Sequence, residues 1–206
     1  MIDAHTALIV VDVQNDFCGG GSLAVPDADA IVPIVNRLGR RFQNVILTQD
    51  WHPAGHASFA SSHEGRQPFE TLKLAYGEQT LWPDHCVQGR AGAEFHPALD
   101  LPHAQAIIRK GYRAGIDSYS GFVEADRRTT TGLAGYLRER GMTRLILCGL
   151  ATDFCVAWTA QDAAALGFEA VVVEEACRGI DLDGSLDRAW TEMIARGVKR
   201  VTSLPA

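Results

Sequence analysis

The stretch "ILCGLATDFCVAWTAQDAAALG", residues 146–167, decides the reading of the fold. An apolar run ends at Leu150, and the chain then turns into a segment whose pattern predicts a helix closed by Gly167. A further apolar run follows at 169–176, which makes strand, helix, strand: the unit of a parallel sheet. Cys155 stands in the first turn of that helix. It is either a small buried hydrophobe or a thiol held there for chemistry.

The same alternation extends outward from this unit. "ALIVVDV" (7–13), "NVILTQD" (44–50), "AQAIIRK" (104–110), "RLILCGL" (144–150), "EAVVVEEA" (169–176) and "KRVTSL" (199–204) read as strands. Helical spacing covers 28–42, 130–141, 152–167 and 182–197; the last three close on a glycine, and Asp27 or Asp29 is a capping candidate for the first. This pattern predicts a three-layer α/β/α fold with a mostly parallel, doubly wound sheet of roughly six strands, and a single domain over residues 1–206. Sites in such folds form at the carboxyl ends of strands. Residues 51–103 break the alternation, being rich in His, Pro, Gly and Ser, with Trp51 and Trp82 and no long helix. Irregular chain of that length inside a compact domain points to function.

Composition narrows the classes. With 206 residues, 47% hydrophobic and 21% charged, the chain suits one globular domain. A net charge of -6 and the lack of any Lys/Arg run argue against nucleic acid and anionic membrane as partners. The start carries neither a basic leader nor a membrane-length apolar run, so the cytoplasm is the expected compartment. Five scattered cysteines, an odd number without a CxxC pair, argue against a disulfide framework and give no sign of a structural zinc cluster. Oligomeric state, including a homo-oligomer, stays open at this level.

Three strand ends bear chemistry. Asp12 interrupts an apolar strand, Lys110 ends "AIIRK", and Cys155 follows the fourth strand by one turn. Singly, each has a bland reading: a turn cap, a solvated strand end, a core thiol. If the strands are neighbours, the three side chains gather at one edge. A carboxylate can then take the thiol proton, a lysine can balance the charge, and backbone N–H groups at the helix start can hold an oxyanion. That set suits acyl transfer through a thioester.

A second constellation is "TQDWHPAGHASF" (48–59) with "LWPDHCVQG" (81–89). Asp50 and His52 lie two apart and point the same way in extended chain, and His85 can fold back onto them. Two histidines and a carboxylate suit Zn, Fe(II) or Mn(II) with positions left open, while His56 and His63 are further candidates. Any one of the seven histidines could equally be a loop residue. "CGGGSLAVPDAD" (18–29) lacks the phosphate-loop glycine patterns and reads as a rim beside Asp12.

Taken together, "IVVDVQNDFCGGGSLAV", "TQDWHPAGHASF", "LWPDHCVQGRAGAEFHPAL", "RKGYRAGIDSYSGF" and "LCGLATDFCVAWTAQDAAALGF" resemble the nicotinamidases of the isochorismatase-like cysteine hydrolase superfamily. The likeness covers nearly the whole chain, in order, and no core motif position departs from the pattern. It implies Cys155 as nucleophile, Asp12 as general base and acid, and Lys110 as third catalytic member. It further implies a divalent metal, commonly zinc, on Asp50, His52 and His85, with His56 in reserve as a ligand seen in some relatives. Residues 51–103 would then be a metal- and substrate-binding insertion. Phe17, Trp82 and Tyr119 match the walls around a pyridine ring, and Leu150–Ala151 matches a non-proline cis peptide that presents the N–H groups of Ala151 and Cys155 to an oxyanion. The activity so implied is hydrolysis of nicotinamide to nicotinate and ammonia, with pyrazinamide as a second substrate. The nearest rival is a metal-free amidase of the same superfamily acting on a ureido or carbamoyl group; a non-catalytic binding module or a nucleotide-binding α/β protein is the rival from another class.

Overall fold

A computed structural model describes residues 2–205. Six strands form one sheet in the order β5-β2-β1-β6-β7-β8, comprising β1 (Thr6–Val11), β2 (Asn44–Asp50), β5 (Ala106–Lys110), β6 (Arg144–Leu150), β7 (Glu169–Arg178) and β8 (Lys199–Val201). Every neighbouring pair in it is parallel. The helices α1 (Val32–Gly39), α2 (Leu133–Glu139), α3 (Ala157–Ala165) and α4 (Ser185–Ala195) make the outer layers of the expected three-layer α/β/α arrangement. The sheet grows one way from β1 through β2 to β5 and the other way through β6 to β8, so the order reverses between β1 and β6. Such a switch point opens a crevice beyond the strands' carboxyl ends.

The strands form where β-branched and aliphatic residues run without a polar break. All six residues of β1 and all seven of β2 are buried, as in a sheet covered on both faces. β1 stops earlier than its apolar run because Asp12 turns into the left-handed region at φ 48. β1 and β6 pair in register from Thr6↔Arg144 to Val11↔Gly149. At the last pair only glycine fits, since a Cβ on Gly149 would lie 2.1 Å from the Val11 carbonyl oxygen.

Helix ends differ from expectation in two places. Neither Asp27 nor Asp29 caps α1: a single 3₁₀ turn, Ala28–Ile31, leads into it, and the Asp29 carboxylate bonds Gly19 N instead. The helix carrying Cys155 opens with a π turn, Thr152–Val156, before α3 begins. Gly141, Gly167 and Gly197 close α2, α3 and α4 as predicted. Within the irregular segment, where no strand is predicted, lies an antiparallel hairpin of β3 (Thr71–Leu74) and β4 (Gly77–Thr80). Among the described residues no helix is long and apolar enough to cross a membrane.

Candidate active site

Asp12, Lys110 and Cys155 meet at the carboxyl ends of β1, β5 and β6. They are 0%, 0% and 6% exposed, so each charge must be answered inside the protein. Lys110 is the hub. Its Nζ lies 2.8 Å from Asp12 Oδ2, donates to Ser118 O at 3.0 Å and to Asp50 Oδ1, and sits 3.4 Å from Cys155 Sγ. The strands are not all neighbours, however: β2 lies between β1 and β5. With strands about 4.8 Å apart, only a side chain as long as lysine bridges two spacings. Asp12 accepts the Thr48 hydroxyl on Oδ1 at 2.6 Å. Oxygens of Asp12 and Asp50 and the Cys155 sulfur fall within 4.8 Å of one another.

Burial sets the proton affinities. It pushes the Asp12 carboxyl above its ordinary range although Lys110 pulls the other way, and a raised carboxyl is a stronger base. Burial also pushes the Cys155 thiol well up, against the pull of Lys110, so the resting sulfur keeps its proton. Burial would depress Lys110, yet Asp12 and Asp50 together hold it well above its usual value and charged.

The sequence-predicted metal donors also converge. Asp50 Oδ2 lies 3.7 Å from His52 Nε2 and 3.9 Å from His85 Nε2. His52 Nδ1 bonds Gly111 O at 2.9 Å and His85 Nδ1 bonds Pro83 O at 2.8 Å. Carbonyls accept only, so both Nδ1 atoms carry hydrogen and both Nε2 lone pairs face Asp50. Burial resists protonation of His52, but Asp50 raises it; burial and His52 push His85 down to about 4. Burial favours the neutral Asp50 carboxyl, yet Lys110 and the two histidines outweigh it and hold the group ionised. Two buried carboxylates face one buried lysine, and a divalent cation between Asp50, His52 and His85 would supply the missing positive charge. The donor set fits one.

His56 packs its ring 4.3 Å from that of His52, but both its nitrogens are engaged, Nδ1 with Ser58 Oγ at 2.8 Å and Nε2 with Arg113 O at 3.0 Å. His63 bonds Ala57 O and joins none of the donor groups. A third cluster, Cys18, Asp29 and His96, comes together outside the crevice. There His96 Nδ1 accepts the Ala98 N–H at 3.1 Å, so Nε2 carries hydrogen toward Asp29 Oδ1 at 3.2 Å. That pair latches the 18–29 rim to the neighbouring loop.

Above the triad, a pocket with about 330 Å³ of empty space, mouth included, has Asp50, His85 and Cys155 among its lining. Phe17, Trp82 and Tyr119 stand in its walls together with Ala151. Trp82 Nε1 donates to Tyr119 Oη at 3.0 Å, and Gln79 of β4 donates to the same hydroxyl at 3.1 Å. Phe154, Ile180, Leu23 and Asp117 complete the lining and were not singled out from the sequence. Phe154, one residue before Cys155 and 4.9 Å edge-on from Trp82, was the most legible of these. The Leu150–Ala151 peptide is cis. Beyond it the first i→i−5 bond of the π turn runs from Val156 N to Ala151 O at 3.1 Å, which places the Cys155 N–H in the opening turn, ahead of that bond. Asp153 anchors the turn, accepting Ile180 N at 3.0 Å, Asp181 N at 2.8 Å and the Ser185 hydroxyl. Cys148 is buried within β6 as core.

Residues 6–204, which carry this buried Asp–Lys–Cys set and the aromatic pocket above it, match the Isochorismatase domain, and the chain belongs to that family. Particular relatives are more specific. The chain is 61% identical to a nicotinamidase of Acinetobacter baylyi over 97% of its own length and 93% of the relative's. It superposes on a nicotinamidase/pyrazinamidase of Acinetobacter baumannii with TM-score 0.96 at 60% identity, covering 97% of this chain and 96% of that one. A pyrazinamidase of Pyrococcus horikoshii, solved in complex with zinc, follows at TM-score 0.79 and 40% identity, covering 96% and 98%.

Proposed function

We propose that this protein hydrolyses nicotinamide to nicotinate and ammonia through a thioester on Cys155, and accepts pyrazinamide in the same pocket. The observation that carries the reading is the contact of Lys110 with Asp12, Asp50 and Cys155 at once, which joins a nucleophile and its base to a metal-donor set beneath one aromatic pocket. Phe17, Trp82 and Tyr119 would hold a flat ring with its carboxamide over Cys155. A divalent ion on Asp50, His52 and His85, zinc by analogy with the Pyrococcus relative, would orient the pyridine nitrogen and withdraw electron density from the ring.

Asp12 takes the thiol proton as Cys155 Sγ attacks the carboxamide carbon, forming the S–C bond and placing negative charge on the oxygen. The N–H groups of Ala151 and Cys155 receive that charge. When the intermediate collapses, the C–N bond breaks, protonated Asp12 gives its proton to the departing nitrogen, and ammonia leaves. Asp12 then takes a proton from an entering water, whose oxygen attacks the thioester carbon. The C–S bond breaks, the sulfur recovers a proton from Asp12, and nicotinate departs. Lys110 stays charged throughout and offsets the carboxylates around it.

Ammonia release from nicotinamide, with and without prior chelation, tests the reading. Release that chelation abolishes and Cys155→Ala eliminates is expected; full activity of that variant would remove the nucleophile, and full activity after complete metal removal would remove the metal from the mechanism.

A further inference from the structure

Resting on that reading, we propose that Thr48 is a positioning residue for catalysis: its hydroxyl fixes the Asp12 carboxyl so that Oδ2 alone exchanges protons with Cys155. β2 is buried along its whole length, and an aliphatic β-branched residue would suit residue 48 as well as it suits Val45 and Ile46. A buried hydroxyl is costly unless bonded, and Thr48 spends its single hydrogen on Asp12 Oδ1 at 2.6 Å. Asp12 Oδ2 is the other half of the arrangement. Apart from its ion pair with Lys110, this buried oxygen has no hydrogen-bond partner among the described residues, so it is the one left to take a proton.

The rotamer of Thr48 is itself held. A Cβ on Gly121 would come within 3.1 Å of Thr48 Cγ2, so the methyl packs over bare glycine backbone while the hydroxyl faces Asp12. Gly121 is fixed in turn by its N–H bond to Thr159 Oγ1 at 2.9 Å, and Thr159 donates to the Cys155 carbonyl at 2.6 Å. The base and the nucleophile are therefore registered through one chain of contacts. Thr48 acts equally on both forms of Asp12: as carboxylate or as acid protonated on Oδ2, Oδ1 remains an acceptor. Without the hydroxyl the carboxyl group can turn, and its proton can lie on either oxygen.

The test compares Thr48→Val, which keeps shape and removes the donor, with Thr48→Ser, which keeps the donor. Wild type releasing ammonia from nicotinamide is the reference, and its inactivity would overturn the proposed function rather than this inference. With an active wild type, Thr48→Val is expected to lose about tenfold or more in kcat with KM unchanged, and to show a larger solvent deuterium isotope effect as proton transfer becomes limiting. Thr48→Ser is expected within about threefold of wild-type kcat, because its hydroxyl restores the bond. Wild-type kcat in Thr48→Val, or equal losses in both variants, or a change confined to KM, would each overturn the proposal. Thermal melting of both variants separates a loss of fold from a loss of positioning.

Discussion

Lys110 Nζ lies 2.8 Å from Asp12 Oδ2, with both side chains withdrawn completely from solvent. The pair spans two strand spacings and places the only buried lysine among the described residues between two buried carboxylates, Asp12 and Asp50. Removing one partner of a buried pair leaves its charge uncompensated, which costs more than the pair contributes.

Lys110→Met should therefore destabilise the fold by about 3–5 kcal/mol and abolish ammonia release. Urea denaturation measures the first effect and a turnover assay the second. A variant as stable as wild type would show that Asp12 and Asp50 do not depend on this cation.

Gly111 places its carbonyl on His52 and its backbone at φ 65, and a Cβ there would sit 2.4 Å from His52 Cε1. Gly111→Ala should turn the His52 ring and lower the metal-to-protein ratio after dialysis, measured by elemental analysis. Gly115→Ala, where an added Cβ meets nothing within 4 Å, is the control and should bind metal as wild type does.

Asp153 gathers two backbone N–H groups from the loop that brings Ile180 to the pocket, and the hydroxyl of Ser185 at the start of α4. Asp153→Ala should cost about 2–4 kcal/mol in chemical denaturation, because buried donors lose a charged acceptor. It should also raise KM, since Ile180 loses its tether. Unchanged KM with lowered stability would confine Asp153 to folding.

Asp126 accepts Thr129 N, the Thr129 hydroxyl and Arg128 N, and these bonds, Thr129's first, lower its carboxyl from 3.8 to about 2. A depressed folded-state value means that the stabilising effect is complete above 3.8 and fades as pH falls toward about 2. The stability gap between wild type and Asp126→Asn should accordingly close across that acid window. A gap that persists unchanged at the acid end would place the effect outside this ionisation.

Much of the site was legible because its residues sit where a periodic pattern breaks. Asp12 interrupts an aliphatic strand, and Asp50 and His52 end another at a spacing of two, so polar side chains at strand ends stood out locally. The hairpin of Thr71–Leu74 and Gly77–Thr80 did not stand out: its strands are short, exposed or half-buried and largely polar, and only Gln79 is buried there. Ile180 and Leu23 were invisible for a different reason. Each is an ordinary aliphatic residue on a loop, and becomes pocket wall only when the chain folds over.

The sequence by itself determined the order of strands and helices, the parallel sheet they imply and the residues able to carry chemistry, because periodicity and side-chain chemistry are local properties. Tertiary structure decided the strand order that inserts β2 between β1 and β5, and with it the reach of Lys110 to both carboxylates and the sulfur. It also decided which nitrogens of His52 and His85 are free, because carbonyls at Gly111 and Pro83 claim the others. Proton affinities belong to this second class. Burial, which no single residue encodes, raises Asp12 and Cys155 together.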